Sequence, residues 1–136
     1  MAFSLLELQL AVKNALTAGS PPAFSYPVHT GKAPANATFP YAVIGDGDTS
    51  LPWKTKLEYG EEILFNVDTW SRSSPTSMVQ IKQMMGQVLA ALDEAELSVS
   101  GFGLVSCDVD YQQPQMDADG VTWHGIQRFR VFLSAA

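Results

Sequence analysis

The sequence predicts an α+β fold in which two helices pack on one face of a mainly antiparallel sheet. Two stretches repeat apolar residues every three or four positions, as amphipathic helices do, and three longer stretches alternate apolar and polar residues, as half-buried strands do. The last two alternating stretches are separated by Gln113–Gly120, which has the composition of a turn. The predicted order is helix, several strands, helix, short strand and long C-terminal hairpin, in a single domain spanning residues 1–136.

The first helix is expected from about Leu5 to Ala18. Ser4 and Glu7 fit a capping box, in which the serine caps the helix and the glutamate reaches back to it. Gly19 follows as a stop signal. The predicted buried stripe has helical spacing and consists of Leu5, Leu8, Val12 and Leu16.

Six of the eight prolines lie between Gly19 and Pro52, which excludes long helices from this part of the chain. Short strands are expected at Ser25–Thr30 and Pro40–Ile44, as edge strands or strand starts, because proline cannot donate to a ladder. Glu61–Ser71 alternates more regularly. It predicts a strand whose core face carries Ile63, Phe65, Val67 and Thr69.

The stretch from Thr49 to Gly60 is expected to be a long polar loop. It carries Trp53, Lys54 and Lys56, and an exposed tryptophan between lysines suggests a contact surface. The alternative is that Trp53 folds back over its own sheet. Gly45–Asp48 is predicted to be a turn and not a phosphate-binding loop, because its two aspartates would repel phosphate.

The second helix is expected to begin with Ser74 as N-cap and Pro75 in the first helical position, and to end near Leu92. Met84 lies off its buried stripe and could touch a partner. The stripe itself comprises Met78, Ile81, Met85, Val88, Leu89 and Leu92. A short strand is predicted at Leu97–Ser100.

The hairpin strands, Gly103–Gln112 and Val121–Leu133, allow a prediction of register. Placing Asp108 opposite Arg130 puts Asp110 opposite Arg128, so the two carboxylates are expected to form ion pairs and not a catalytic or metal-binding pair. The same register places apolar residues opposite each other on the core face, Cys107 with Val131 and Val109 with Phe129.

The charge of the chain argues against nucleic-acid binding, which requires a basic patch, because the net charge is −6. No lysine or arginine lies between Lys82 and Arg128, whereas the acidic residues in that stretch are Asp93, Glu94, Glu96, Asp108, Asp110, Asp117 and Asp119. The single cysteine, Cys107, excludes an internal disulfide and is predicted to face the core. Neither a signal peptide nor a membrane span is expected, because Glu7 interrupts an apolar start that has no basic residues before it.

No catalytic, cofactor-binding or metal-binding residues are predicted. Asp117-Ala118-Asp119-Gly120 is similar to part of a calcium loop, but Arg128 occupies the position that needs glutamate, so a hairpin turn is expected. His29 and His124 have no spacing to a serine or cysteine that would make either one a catalytic base.

Several segments resemble one known family in their order and spacing. In the first half they are Pro40-Tyr41-Ala42-Val43-Ile44-Gly45-Asp46, Pro52-Trp53 with Lys56, and Trp70-Ser71-Arg72. In the second half they are Met84-Met85, Val88-Leu89-Ala90-Ala91-Leu92, Leu97, Asp119-Gly120, His124-Gly125 and Arg128-Phe129-Arg130. Together they resemble the tail-terminator family, also called tail-completion or head–tail joining proteins, of long-tailed phages, prophages and gene transfer agents.

The resemblance implies a structural virion protein, not an enzyme, that forms a ring, usually a hexamer, at the head-proximal end of the tail. Such a ring caps the finished tail tube, stops its growth and joins the tail to the head connector. The implied partners are further copies of the chain, the tail tube protein and the head–tail connector protein. DNA is implied only as cargo passing through the lumen, assembly is implied in the bacterial cytoplasm, and neither a cofactor nor a membrane is implied.

Two groups of residues are candidates for these contacts. Trp53, Lys54 and Lys56 are the candidates for a contact with a neighbouring subunit or the tube. The candidates for an acidic lining that repels passing DNA are Asp93, Glu94, Glu96, Asp117 and Asp119. Two other functions stay open, namely another small head–tail connector or tail-tube component, and a small metal-dependent enzyme.

Overall fold

The structure, a computed structural model, describes residues 3–45, 47–54 and 58–135. Two helices and six strands follow in the order α1 Ser4–Thr17, β1 Val28–Thr30, β2 Tyr41–Ile44, β3 Thr49–Lys54, β4 Tyr59–Ser71, α2 Val79–Leu92, β5 Phe102–Met116 and β6 Trp123–Ala135. The predicted α+β class and the long C-terminal hairpin, β5–β6, are confirmed.

The six strands form one sheet in the order β1-β2-β4-β6-β5, with β3 as an additional partner of β4. Among the strand pairs of the described residues, only β1–β2 is parallel. One edge of β4 is taken by β6 along almost its whole length, so β2 and β3 must share the other edge. Both strands run antiparallel to β4 and therefore in the same direction. Just after β2, the Gly45 N–H donates to the Asn66 carbonyl of β4 at 3.1 Å.

The core lies between the two helices and one face of the sheet. Every second residue of β4 faces it, as predicted, and the Phe65 ring stacks on Phe129 of β6 with 5.3 Å between centroids. Cys107 is buried there as expected, and burial, followed by the neighbouring Asp108 and Asp93 carboxylates, raises the pKa of its thiol to about 12. Met84 is fully buried in this core, so the prediction that it could touch a partner is wrong.

Both helices begin differently from the prediction. Phe3, and not Ser4, is the N-cap of α1, and the Ser4 hydroxyl instead donates to Glu61 Oε2 at 2.6 Å. Helix α2 begins at Val79, four residues later than Pro75 would place it. The hydroxyl of Ser74 accepts from the Thr76 amide at 3.3 Å, a local bond that competes with a helical start.

Two segments differ in type from the prediction. The expected polar loop contains a strand, β3, which pairs with β4 from Thr49 opposite Leu64 to Lys54 opposite Tyr59. Conversely, Leu97–Ser100 is not a strand, although Leu97 is buried. The chain there is held to β5 by one backbone bond from Glu94 to Cys107 and by the Asp93 carboxylate, which accepts from the Val109 amide.

The predicted hairpin register is correct for Asp108 opposite Arg130 and wrong for the next pair. A bulge between Val109 and Tyr111 places Tyr111 opposite Arg128. Asp110 still forms an ion pair, but with Arg130, whose guanidinium lies 3.3 Å from Asp110 and 3.3 Å from Glu62. The turn is shorter than predicted, because β5 continues through Pro114 to Met116. Proline is tolerated at this position because β5 is an edge strand.

Candidate functional site

The sheet face opposite the helices carries a row of rings that crosses four strands. His29, Tyr41, Trp70 and His124 follow one another on β1, β2, β4 and β6. The ring centroids are 5.6 Å apart between His29 and Tyr41, 5.4 Å between Tyr41 and Trp70, and 4.4 Å between Trp70 and His124. This row was not predicted. Its signal in the sequence is weak, because the four rings come from distant segments that only the strand pairing brings together.

Charged side chains flank the row at two points. The Arg72 guanidinium lies 4.2 Å above the ring of Phe39, whose centroid is 5.0 Å from that of Tyr41, the second ring of the row. At the β6 end, His124 Nε2 lies 3.2 Å from Asp68 and Nδ1 lies 3.7 Å from Asp117. Within the described residues, no group of three or more histidine, cysteine, aspartate or glutamate side chains could hold a metal ion.

Trp53 and Lys54 lie on β3, at the rim of the sheet. Trp53 is 45% exposed, and its ring lies across its cross-strand partner, Gly60, where a β-carbon would overlap the indole. The ring therefore does fold over its own sheet, yet leaves much of its surface open. Lys54 is exposed, and Lys56 lies outside the described residues. The role of all three in a contact stays a prediction.

The acidic candidates fall into two separate groups. Asp93 and Glu94 contact the middle of β5, at Val109 and Cys107, and Glu96 follows them. Asp117 and Asp119 lie in the β5–β6 turn, eight residues or more beyond Val109, which is about 25 Å of extended strand. They do not form one continuous acidic patch within a subunit, so a common role would have to arise in an assembly.

Asp119 already has a structural task, because it closes the hairpin turn. Its carboxylate accepts from the Val121 and Thr122 amides, both at 2.9 Å, and from the Thr122 hydroxyl. These bonds, with the Thr122 hydroxyl foremost and with help from Arg72 at 3.5 Å, lower the pKa of Asp119 to about 2. The prediction of a turn in place of a calcium loop is correct for the local geometry.

Glu61 is a buried carboxylate that joins three elements. It accepts hydrogen bonds from the hydroxyls of Ser4 in α1, Ser50 in β3 and Tyr59 in β4. Burial alone would raise the pKa of Glu61, but the three hydroxyls together outweigh it and lower the pKa. The sequence offered no sign of this cluster, because Ser4 was assigned to a helix cap.

The remaining surface features are a cleft beside β5 and the free rim at β3. No helix among residues 3–45, 47–54 and 58–135 is both long and apolar enough to cross a membrane. The geometry offers contact surfaces, namely the sheet face that carries the row of rings and the edges of β1, β3 and β5.

Known proteins match both the sequence and the fold. The family model described as tail completion protein gp17 matches residues 7–134. The chain is 36% identical over 96 residues to the tail completion protein gp17 of Bacillus phage SPP1. The matched region covers 71% of this chain and 69% of that protein. The fold matches a chain in the solved virion of a native gene transfer agent particle, with a TM-score of 0.83, 18% identity, and coverage of 98% of this chain and 100% of that chain.

A family match over residues 7–134, together with a relative that is 36% identical, shows the family of this chain. The chain therefore belongs to the tail completion protein gp17 family and is a structural component of the virion tail, not an enzyme.

Proposed function

We propose that this protein assembles into a closed ring, with six subunits as the expected number, that caps the finished tail tube. The ring stops growth of the tube and offers its other face to the head–tail connector. Family membership supports a role in completing the tail. Its direct partners would then be other copies of this chain, the tail tube protein and the connector protein.

One structural observation supports the proposed ring. The described part of the sheet has unpaired strand edges on both sides, since β1 pairs only with β2 and β3 only with β4 on one side, and β5 pairs only with β6 on the other. When one surface of a subunit binds a different surface of the next, the contact repeats around an axis, and it closes into a ring when the rotation per subunit divides a full turn. Two unlike edges on one sheet are suited to that kind of contact.

DNA would pass through the lumen of such a ring, and an acidic lining would keep it from sticking. Asp117 and Asp119 lie at the tip of the hairpin, apart from the group beside β5. They are our candidates for this lining. A structure of the assembled ring in which both carboxylates point away from its axis would contradict the assignment.

The test is to add the purified protein to growing tubes of the tail tube protein and to image them by electron microscopy. We expect a ring at one end of each tube and tubes that stop lengthening, whereas tubes without the protein continue to grow. Tubes that keep growing with no ring at either end would overturn the proposal. Long polymers of this protein alone would instead identify it as a tube subunit.

A further inference from the structure

The outer edge of β1 has two free backbone N–H groups. The Pro27 carbonyl and the Gly31 amide both bond to β2, so the odd-numbered residues of this stretch face the sheet. Because backbone groups alternate in direction along a strand, those of Val28 and Thr30 point away from β2. Among the described residues, no backbone carbonyl accepts from either outward N–H, although the Thr30 carbonyl accepts from the Lys32 amide at 2.8 Å.

The C-terminal half of β5 also has a free edge. Before the bulge the odd-numbered residues point away from β6, since the Cys107 carbonyl and the Val109 amide bond to the segment that follows α2. The bulge shifts this alternation by one residue, so Gln112 and Pro114 point outward in the second half. The Asp117 amide bonds back across the hairpin at 2.8 Å, as this alternation requires. Within the described part of the chain, no backbone group bonds to the outward edge at residues 112 and 114.

These two free edges lie at the same level of the sheet. The cross-strand pairs from β1 through β2, β4 and β6 to β5 lead from Val28 to Pro114 and from Thr30 to Gln112. One parallel pair followed by three antiparallel pairs makes β1 run opposite to β5. Rotation about an axis parallel to the strands keeps both level and direction. In such a ring, β1 of one copy therefore meets β5 of the next in an antiparallel arrangement, with outward residues facing outward residues.

The outlines of the two sides match as well. On one side β1 is the second strand beyond β4, whereas β3 is only the first, so the side is set back by one strand at β3. On the opposite side, Asp93 and Glu94 bond to the outward edge of β5 and occupy one further strand position there. Cys107, which accepts from the Glu94 amide, is level with Ser50 of β3. The protruding segment of one copy thus lies at the height of the recessed edge of the next.

Charge is also complementary across these edges. Asp110 and Glu62 share Arg130, and Asp108, the cross-strand partner of Arg130, adds a third carboxylate to the same face. Lys32 is exposed and follows β1 at the end that would lie nearest Asp110 of the next copy, because the two strands run in opposite directions. Opposite charges placed across a contact fix the partner and its orientation.

We propose that, in the ring, β1 of each subunit pairs with the C-terminal half of β5 of the next subunit, so that the sheets of neighbouring subunits join edge to edge. This inference rests on the ring of the proposed function and names its subunit contact. Thr30 and Gln112 exchange backbone hydrogen bonds, for which the Thr30 carbonyl has a second lone pair, and the Val28 amide donates to the Pro114 carbonyl. Strand addition at a free sheet edge is a common mode of protein recognition.

Disulfide cross-linking tests the register on the full chain. His29 and Gln113 would lie opposite each other between the two hydrogen-bonded pairs, where Cα atoms are about 4.5 Å apart, within the range of a disulfide. Rings of His29→Cys/Gln113→Cys are assembled on tubes under reducing conditions and then oxidised. We expect a ladder of linked chains that ends at the number of subunits in the ring. The native Cys107 is buried and should not compete.

Matched variants make the test specific. Pro27→Cys/Gln115→Cys, the next pair on the same face, should also link. His29→Cys/Gln112→Cys places its two thiols on opposite faces of the joined sheet and should give at least about tenfold less linked product. Neither His29→Cys nor Gln113→Cys alone should link, because each thiol would face an unaltered residue. Linked dimers of a single variant would show two like edges in contact and would overturn the proposal.

Charge reversal at the edge gives a second readout. Lys32→Glu should lower the fraction of tubes that bear a terminal ring by at least about threefold, because it would face the carboxylates beside β5 of the next subunit. Lys82→Glu, the same change at an exposed site on α2, is the matched control and should assemble normally.

The outcomes separate the two proposals. If the unaltered protein forms no ring on tubes, the proposed function fails. If rings form and neither cysteine pair links on oxidation, the ring stands and the β1–β5 contact is wrong.

Discussion

At the scale of single residues, Trp53 is positioned before any partner arrives. Its cross-strand partner is Gly60, and the indole ring occupies the space that any β-carbon at position 60 would fill. One side of the ring is covered by its own sheet while 45% of the residue remains exposed. An aromatic side chain held in place loses little conformational entropy on binding, which suits it to anchor a contact.

Trp53→Ala is expected to weaken ring formation and the control of tube length. Truncating an interface anchor typically costs more than about 1 kcal/mol, so about fivefold more protein should be needed to cap half of the tubes. Gly60→Ala should act similarly, because its β-carbon displaces the indole ring of Trp53 without removing it. Val79→Ala, which truncates an even more exposed apolar residue on α2, is the control. Capping by Trp53→Ala at the normal concentration would contradict the prediction.

Two glycines should respond to alanine in opposite directions. Gly86 lies within α2 with nothing near its missing β-carbon, so Gly86→Ala should raise the free energy of unfolding by up to about 1 kcal/mol. At Gly125 the added carbon would lie 2.8 Å from the sulfur of Met85 and would overlap Thr69, so Gly125→Ala should lower it by about 1–3 kcal/mol. Urea denaturation measures both, and equal shifts of the same sign would refute the account.

At the scale of elements, Glu61 holds the start of α1 against the β3–β4 hairpin. Its three hydroxyl donors come from three different elements, and its side chain is almost completely buried. The hydroxyls stabilise the ionised form more than burial opposes it, so the folded-state pKa lies below the ordinary glutamate value. The charged form of Glu61 therefore stabilises the fold.

The direction of this shift predicts a dependence of stability on pH. A lowered pKa contributes stability that is fully present above the unfolded-state value of 4.5 and is lost as the pH falls through the folded-state pKa. Glu61→Gln should cost about 1–3 kcal/mol at pH 7, because the neutral amide has one acceptor oxygen for three hydroxyl donors and loses the charge-assisted hydrogen bonds. It should also flatten the fall in stability as the pH drops below the unfolded-state value of 4.5.

Thermal unfolding measured at several pH values compares Glu61→Gln with the unaltered protein. Glu96→Gln, at an exposed carboxylate, is the control and should follow the unaltered protein across the range. If Glu61→Gln and the unaltered protein lost stability in parallel on acidification, Glu61 would not be the group responsible.

The bulge in the β5–β6 hairpin changes the partners of the two arginines, Arg128 and Arg130. It shifts the pairing by one residue after Val109, so Arg128 is freed from Asp110 and donates to the Asn66 side chain at 3.2 Å. Arg130 then bridges Asp110 on β5 and Glu62 on β4. The guanidinium thus links three neighbouring strands across the outer sheet face.

At the scale of the whole molecule, β3, β4, β6 and β5 form a four-stranded band with a free edge on each side. Pro52 lies in β3, where it has no N–H to offer. Proline fits a paired strand only where that N–H would point away from the partner strand, so the missing donor is on the free edge. Such a residue limits self-association of the free protein.

Pro52→Thr should therefore increase self-association in the absence of tubes. Threonine at this position restores one edge donor, and one further hydrogen bond per contact is worth about 0.5–1.5 kcal/mol, or roughly 2- to 12-fold in concentration. Sedimentation velocity would measure the shift, with Pro75→Thr, an exposed proline before α2, as the control. An unchanged concentration dependence would show that Pro52 does not protect the edge.

Local patterns of apolar and polar residues in the sequence predicted much of the fold. Alternation in Glu61–Ser71 identified the core face of β4, and the hairpin strands defined the pairing of Asp108 with Arg130, because each pattern is set by side chains close in sequence. The order and spacing of short segments was enough to indicate the family, which the comparisons confirm. The candidate contact residues Trp53 and Lys54 were also recognised from the sequence.

The remaining features depend on partners that are distant in the chain. By itself the sequence determined the fold class, the core face of β4, the pairing of Asp108 with Arg130 and the family. Only the tertiary structure decided that β3 is a strand, that Ser4 serves Glu61 and not its own helix, and that four separated rings form one row. The physical reason is that a strand edge, a buried carboxylate or a stacked ring is stabilised by groups whose neighbourhood exists only once the sheet has formed.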